Sequence, residues 1–426
     1  MKIMKYSETE RDKILSRSYT SADVEDSVRA IVENVAKNGD AALRELTARF
    51  DKVEIKDFPV SPGEIEEALA EVGEDFLGIM ERAASNIRKF HEKQLRSGFI
   101  INDEDGILMG QKVIPVDSAG LYVPGGTAAY PSTVLMDSVP AKIAGVKNVI
   151  MCTPPGPDGK INPYILAAAH VAGIDRIYKA GGAQAIAAMA YGTESIPKVD
   201  KIVGPGNAYV AEAKKQVFGM VSIDMIAGPS EILIIADGAS NPVFVASDLL
   251  SQAEHDRLAS AVLITDSMEL AEKVSSEVDR QLETLPRREI ASASIENNGK
   301  IIVCDDIPQA VEVANDIAPE HLELSVDDPF DYLDKIRHAG SVFIGRYAPE
   351  PLGDYFSGAN HTLPTGGTAR FSSPLSVDDF VKKLQYTYYT RDALARVGED
   401  IACFARKEGL EAHARSIEKR MGEDDK

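Results

Sequence analysis

The sequence predicts an α/β protein with two open, parallel-sheet domains, and three observations carry that reading. From about residue 133 to 236, short apolar runs alternate with helical stretches. The alternation resumes between Pro242 and Gly345, and Gly228-Pro229 marks the crossing between the two runs. Strands separated by helices of roughly 10–13 residues fit βαβ units, whose strands pair in parallel and are buried on both faces. At 426 residues the chain is long enough for several domains with sizeable cores.

Taken in order, the first hundred residues read as helices. SADVEDSVRAIVENVAKNGDAALRELTARFD has apolar residues at three- and four-residue spacing, a Ser/Asp start and an Asn38-Gly39 stop. The stretch from Ser61 to Leu95 repeats the pattern, with Ser61 as N-cap and Pro62 in the first turn. SGFIINDEDGILMGQKVIPVDSAGLYVPGG then switches to short strands and Gly/Pro turns. KNVIMCTPP, DRIYKAG, KVDKIVGPG and EILIIAD are strands; NPYILAAAHVAGI, AQAIAAMAYGT and NAYVAEAKKQVFG are the helices between them. In the second run PVFVASDLLSQAEH, SMELAEKVSSEVDRQLETL and IPQAVEVANDIAP are helices, while SAVLITDS, KIIVCDD, HLELSV and GSVFIG are strands. The last fifty residues return to helix, with the terminal GEDDK frayed.

Composition narrows the function classes. The net charge of −21 argues against broad contact with nucleic acid or an anionic membrane. Three scattered cysteines (Cys152, Cys304, Cys403) form neither a CxxC pair nor a disulfide framework, which fits a reducing compartment. The N-terminus lacks the apolar core of a secretory signal, and no apolar segment reaches the ~18–20 residues of a membrane span. A cytoplasmic location is the expectation.

Several short motifs could carry chemistry. In SQAEHDR, Gln252 and His255 lie three apart on an expected helix, one oxygen and one nitrogen donor on one face. The same spacing also suits a solvated helix. PLGDYFSGANHTLPTGG puts Asp354 in a Gly/Pro-rich loop, with His361 beyond it; an Asp capping a turn is the plain alternative. EGLEAH places His413 near a helix start, where a surface histidine is equally at home. Glu320 and His321, in IAPEHLEL, sit on an expected connecting loop because Pro319 disfavours helix at Ala318. They could supply two acid–base functions if both reach one cleft. VPGG (123–126), KAGGAQA (179–185) and VGPGNAYV (203–210) each follow an apolar run and offer backbone N–H groups to a phosphate. None matches GxGxxG, since Tyr209 stands where the third glycine belongs. His91, His170 and His338 read as structural or surface histidines, His170 as a buried one.

Together these blocks resemble histidinol dehydrogenase. AGLYVPGGTAAYPSTVLMDSVPAKIAGV, YKAGGAQAIAAMAYGT, VDKIVGPGNAYVAEAKKQVFG, IDMIAGPSEILIIAD, DLLSQAEH, APEHLEL, GDYFSGANHTLPTGGTARFSSPLSV and EGLEAH occur in family order and spacing. The resemblance implies a four-electron oxidation of L-histidinol through L-histidinal to L-histidine, using two NAD+ and one water. It implies one Zn2+ per subunit, held by Gln252, His255, Asp354 and His413. Glu320 and His321 become the acid–base pair. Ser230, Glu408 and His361 join the metal ligands and His321 as substrate contacts, and Tyr122, Gln184 and Asn207 contact NAD. Asp137 stands where Asn is expected, and Arg257-Leu258 replace a small or Pro-rich turn.

The implied fold is two incomplete Rossmann-like domains with small helical terminal segments in an intertwined homodimer with shared active sites. Its expected parts are a helical segment 1–28, a first α/β domain of 29–121 plus 230–370 on the metal and substrate side, a second of 122–229 on the NAD side, and a helical segment 371–426 reaching the partner subunit. Glu408 and His413 would therefore complete the partner's site. Three alternatives stay open: another small alcohol such as a sulfonated diol, a zinc hydrolase using Glu320, or a silent binding protein.

Overall fold

A computed structural model of the chain describes residues 1–16, 24–125 and 129–422. Ser21 and Asp23 of the first helix start, Gly126 of VPGG and residues 423–426 of the terminal GEDDK lie outside the described residues. The chain opens with β1 (Lys2–Lys5), α1 (Arg11–Leu15), α2 (Glu25–Phe50), α3 (Pro62–Val72) and α4 (Glu74–His91). Gly39 takes φ 53° inside α2, so the helix kinks at the predicted Asn-Gly stop. Ser61 caps α3 reciprocally with Glu64, and Pro62 occupies the first turn.

Strands β2 (Phe99–Ile101), β3 (Ile107–Pro115) and β4 (Ser118–Tyr122) follow. The first alternation then runs α5 (Pro131–Ala144), β5 (Asn148–Thr153), α6 (Pro163–Ala172), β6 (Ile177–Lys179), α7 (Gly182–Tyr191), β7 (Lys201–Val203), α8 (Ala208–Val217) and β8 (Ser222–Ile223). The second comprises β9 (Glu231–Ala236), α9 (Pro242–Ala253), β10 (Ser260–Thr265), α10 (Met268–Leu282), α11 (Arg288–Asn298), β11 (Lys300–Val303) and α12 (Ile307–Ile317). It continues through β12 (His321–Ser325), α13 (Phe330–Leu333), β13 (Ser341–Ile344) and α14 (Glu350–Tyr355). The chain closes with β14 (Val381–Tyr389), α15 (Arg391–Lys407) and α16 (Glu411–Met421). Among the described residues no helix is long and apolar enough to cross a membrane.

Two units result. One contains Met1–Gln94 and Val116–Phe380, the other Leu95–Pro115 and Val381–Lys426. The first unit holds two parallel sheets, ordered β6-β5-β4-β7-β8 and β1-β11-β10-β9-β12-β13. Helices α2, α7 and α8 cover one face of the five-stranded sheet, and α3 to α6 the other. In the six-stranded sheet α9 to α11 cover one face, with α12 and Ile14 of α1 on the other. Burial on both faces explains why every residue of β9 is buried rather than every second one. Both sheets are wound outward in two directions from a central pair, β4/β7 in one and β9/β12 in the other. Residues 224–230 lead from the end of β8 to the start of β9. So short a linker brings the carboxyl end of one sheet to the amino end of the next.

The second unit is separate in kind. Its antiparallel sheet is ordered β14-β3-β2, with β14 matched to β3 from Val381↔Pro115 to Tyr389↔Ile107, and α15 packs on α16.

Several expectations are corrected. The 1–28 segment is not wholly helical: β1 pairs in parallel with β11, and Met4 joins the core between sheet and α1. Four residues are too few to show a period, so distant pairing decides. The 371–426 segment is likewise not wholly helical; VKKLQYTYY has the Val, Thr and Tyr content of a strand and finds its partner in β3. Residues 29–94 and 230–370 share one unit, though 29–94 packs on the five-stranded sheet. Helices α2, α3 and α4 bury Val28, Leu43, Met80 and Ile87 on the five-stranded sheet, and 95–115 belongs to the second unit. A parallel sheet needs two covered faces, and these helices supply them.

Candidate active site

The amino ends of β9 and β12 bring the first candidates together. Strand pairing sets His321 opposite Ile232, one residue past Glu231 and two past Ser230. The buried Glu320 carboxyl accepts the Glu231 N–H at 2.7 Å, and His321 Nδ1 lies 3.0 Å from the Glu231 carbonyl oxygen. Glu320 sits on the expected loop; His321 is already the first residue of β12. Ala318 ends α12 in the left-handed region at φ 52°, turning the chain into the strand. Burial raises Glu320 well above the usual carboxylate range and lowers His321 to about 4, despite the nearby charge of Asp354. His321 is therefore neutral at physiological pH. A carbonyl oxygen accepts only from N–H, so Nδ1 carries the proton and Nε2 the lone pair.

Gln252 lies in the last turn of α9, 1% exposed, and its Oε1 has no hydrogen-bond partner. His255 is beyond the helix, in a turn where its N–H bonds the Gln252 carbonyl at 3.2 Å. This corrects the expected helical i,i+3 pair, because α9 stops at Ala253. Burial lowers the His255 pKa, with the charge of Asp354 opposing it.

Asp354 is not in a loop: it lies on α14, started by Pro349 and Pro351. One turn earlier on the same face is Glu350, which the sequence reading missed. Its N–H is held by Glu323 Oε1 at 2.8 Å, and its own Oε1 is buried without a partner, 3.6 Å from His321 Nε2. His321, Glu350 and Asp354 offer ligand atoms within 4.8 Å of one another. The i,i+4 carboxylates of EPLGD were the available signal, masked by two prolines and a glycine. Burial, then the adjacent Asp354, pushes Glu350 up to about 10. Burial also pushes Asp354 upward, but the bond and charge of His361 outweigh it and leave the carboxyl at about 2. Glu350 thus carries the proton of this carboxylate pair.

His361 Nδ1 lies 3.4 Å from Asp354 Oδ1, and its Nε2 lies 3.3 Å from Thr133 Oγ1 on α5. Around it Asn360 Nδ2 donates to the Met136 carbonyl at 2.7 Å, and Thr362 Oγ1 donates to Asp137 Oδ1 at 2.8 Å. The Gly228 N–H donates to Thr365 Oγ1 at 2.5 Å. The segment therefore fastens the linker and α5 of one sheet to the β9/β12 edge of the other. Asp137 is buried with Oδ2 unpartnered, and burial raises it to about 7. His91, read as charge-flanked, is fully buried and faces Gln94 and Asn360; His170, read as buried, is exposed.

At the carboxyl ends of β4, β6 and β7 lie the glycine-rich turns. Tyr122 is buried, with its hydroxyl accepting the Gly182 N–H at 3.0 Å, and Gln184 is buried in α7. Asn207 is exposed and caps α8 through Oδ1. Gly204 has φ 118°, and a Cβ there would collide with the Tyr122 carbonyl oxygen. Its N–H and C=O are held at 2.8 and 3.0 Å by the buried Asp224 and Lys214, which pair with each other. Glu408 and His413 lie in the second unit, at the end of α15 and in α16, both exposed.

A family model described as histidinol dehydrogenase matches residues 15–421. The histidinol dehydrogenase of Bacillus subtilis is 56% identical over 422 residues, covering 99% of each chain. That of Clostridium acetobutylicum is 56% identical over 401 residues, covering 94% of this chain and 93% of its own. The crystal structure of histidinol dehydrogenase from Elizabethkingia anophelis superposes with a TM-score of 0.93 at 42% identity, covering 99% of this chain and 98% of that one. The chain belongs to the histidinol dehydrogenase family.

Proposed function

We propose that this chain oxidises L-histidinol through L-histidinal to L-histidine with two NAD+ and one water, as the last steps of histidine biosynthesis. The observation that carries the reading is the neutral, buried His321, whose proton-bearing Nδ1 is held by the Glu231 carbonyl. Nε2 is left as the base that takes the carbinol proton, and later a proton from the hydrated aldehyde. Glu320, pinned at 2.7 Å by the Glu231 N–H, guides the water that hydrates the aldehyde. Keeping the aldehyde bound at one site prevents its loss between the steps.

The residues suit a divalent cation. A buried amide oxygen without a partner costs free energy unless something pairs it, and Gln252 Oε1 is such an atom. With His255 and Asp354 it makes three of the four donors that would hold Zn2+; His413 would be the fourth. The cation would hold the substrate imidazole and amine for reaction, and NAD+ would accept the hydride. Ser230, His361 and Glu408 would complete the substrate contacts, the last by pairing the substrate ammonium. Tyr122, Gln184 and Asn207 would hold NAD beside the glycine-rich turns.

Two copies would form the working enzyme, each giving Glu408 and His413 to the other. In support, the second unit leaves Phe99 (53%), Ile100 (64%), Tyr388 (60%) and Phe404 (68%) exposed, large apolar side chains that a second copy could cover. The test is the NADH yield. Two NADH per L-histidinol, lost on chelation, is the expected result; one NADH with free aldehyde, or preference for 2,3-dihydroxypropanesulfonate, would contradict it.

A further inference from the structure

His321 Nε2 and Glu350 Oε1 face each other 3.6 Å apart, both buried, with no donor between them. The imidazole nitrogen is an acceptor because Nδ1–H is engaged by the Glu231 carbonyl. Glu350 is fixed from behind: Glu323, on the same face of β12 as His321, accepts its backbone N–H. Its other carboxyl oxygen carries the proton shared with Asp354, so the unpartnered Oε1 is left as an acceptor. Two rigid acceptors opposed in this way call for a ligand presenting two hydroxyl hydrogens at once. An alcohol has one such hydrogen and an aldehyde has none. The hydrated aldehyde has two, on one carbon.

We propose that Glu350 is a further substrate-contacting residue, which binds the second hydroxyl of the aldehyde hydrate while His321 binds the first. This rests on the reading above that the enzyme oxidises an alcohol through its aldehyde to an acid. In the step Glu350 serves, the hydrate C–H bond breaks and its electron pair leaves as hydride to NAD+. One hydroxyl proton passes to Nε2 of His321, and that oxygen becomes the carbonyl. The other oxygen, held by Glu350, remains as the hydroxyl of the acid. Glu350 therefore favours the second oxidation over the first.

Both half-reactions can be started from L-histidinal, using the metal-loaded enzyme. Reduction by NADH reverses the first oxidation; oxidation by NAD+ is the second. Glu350→Gln is expected to slow oxidation at least about tenfold more than reduction, the scale of one lost contact to a reacting group. Its NADH yield per histidinol should fall from two toward one as aldehyde accumulates, detected with a carbonyl reagent. Metal content, read by atomic spectroscopy, should stay at one per subunit. Glu350→Asp, which retracts the oxygen, gives the same ratio test should the Gln variant fold poorly, with an intermediate loss expected. Equal slowing in both directions would overturn this proposal alone. A wild-type enzyme inactive on histidinol and histidinal would overturn the underlying reading instead.

Discussion

The two parallel sheets share one winding plan but use opposite edges. In the five-stranded sheet the glycine-rich turns follow the carboxyl ends of β4 and β7, the strands where the winding reverses. That is where an open α/β sheet usually offers its crevice. In the six-stranded sheet the same central pair, β9 and β12, carries Ser230, Glu320 and His321 at its amino ends. Its carboxyl-end crevice is closed by its own side chains. Arg346 bonds Asp237 through both carboxylate oxygens at 2.7 and 2.8 Å and Asp327 at 2.7 Å, while Ser240 bonds the Ser325 carbonyl at 2.5 Å. The short linker 224–230 explains the inversion, because it abuts the carboxyl edge of one sheet to the amino edge of the other. The lesson is physical. One edge presents backbone N–H groups, suited to a phosphate-bearing cofactor; the other presents buried ionisable side chains, suited to proton transfer.

The sharpest way to break this comparison is His321→Ala. It should lower kcat by roughly 10²–10⁴, the usual worth of a positioned acid–base group, with NAD affinity unchanged by calorimetry. A loss of only a few-fold would mean that the amino edge does not hold the chemistry. Next comes Gln252→Ala, which removes the buried, unpartnered oxygen proposed as a metal donor. Zinc affinity, measured by competition with a chelator dye, should weaken by about 10–100-fold, in the range seen when a metal's support is removed. Unchanged affinity would remove Gln252 from the ligand set.

Gly204→Ala addresses the other edge. The residue would have to hold φ 118° and push against the Tyr122 carbonyl, so about 1–3 kcal/mol of stability should be lost. NAD binding should weaken while histidinol binding, read by calorimetry, stays as it was. Parallel loss of both would show that the two edges are not separable.

The last test is a pH slope in the metal-stripped protein. Glu350 is raised in the folded state from 4.5 to about 10, so the folded protein binds more protons than the unfolded chain across that interval. Its stabilising contribution is complete below the ordinary glutamate value and is lost as pH rises toward 10. Denaturant titrations between pH 6 and 9 should show stability falling by up to about 1.4 kcal/mol per pH unit for this one group. Glu350→Gln should flatten the curve, and a wild-type curve that rises with pH would contradict the assignment.

Much of this was legible from local signals. The Ser61 cap, the Asn38-Gly39 kink, the alternation of strands and helices and the glycine-rich turns each depend on residues within a few positions of one another. Gln252, His255, Asp354, Glu320 and His321 stood out as residue types able to do chemistry, and the family resemblance joined them. Glu350 escaped because its stretch reads as a proline-rich loop, and its importance comes from Glu323 and His321 on another element. Thr133 and Asn360 escaped because a threonine or asparagine in isolation has many ordinary uses. β1 and β14 escaped because short or charge-rich strands are decided by their partners.

Periodicity, capping residues and turn glycines thus determined, from sequence alone, most of the elements and their order. Only the tertiary structure decided which strands pair, which helices clothe which sheet and which sheet edge receives the acid–base residues. The reason is range: helix and turn preferences act between near neighbours in the chain, whereas strand pairing and the burial of charged groups join residues brought together only by folding.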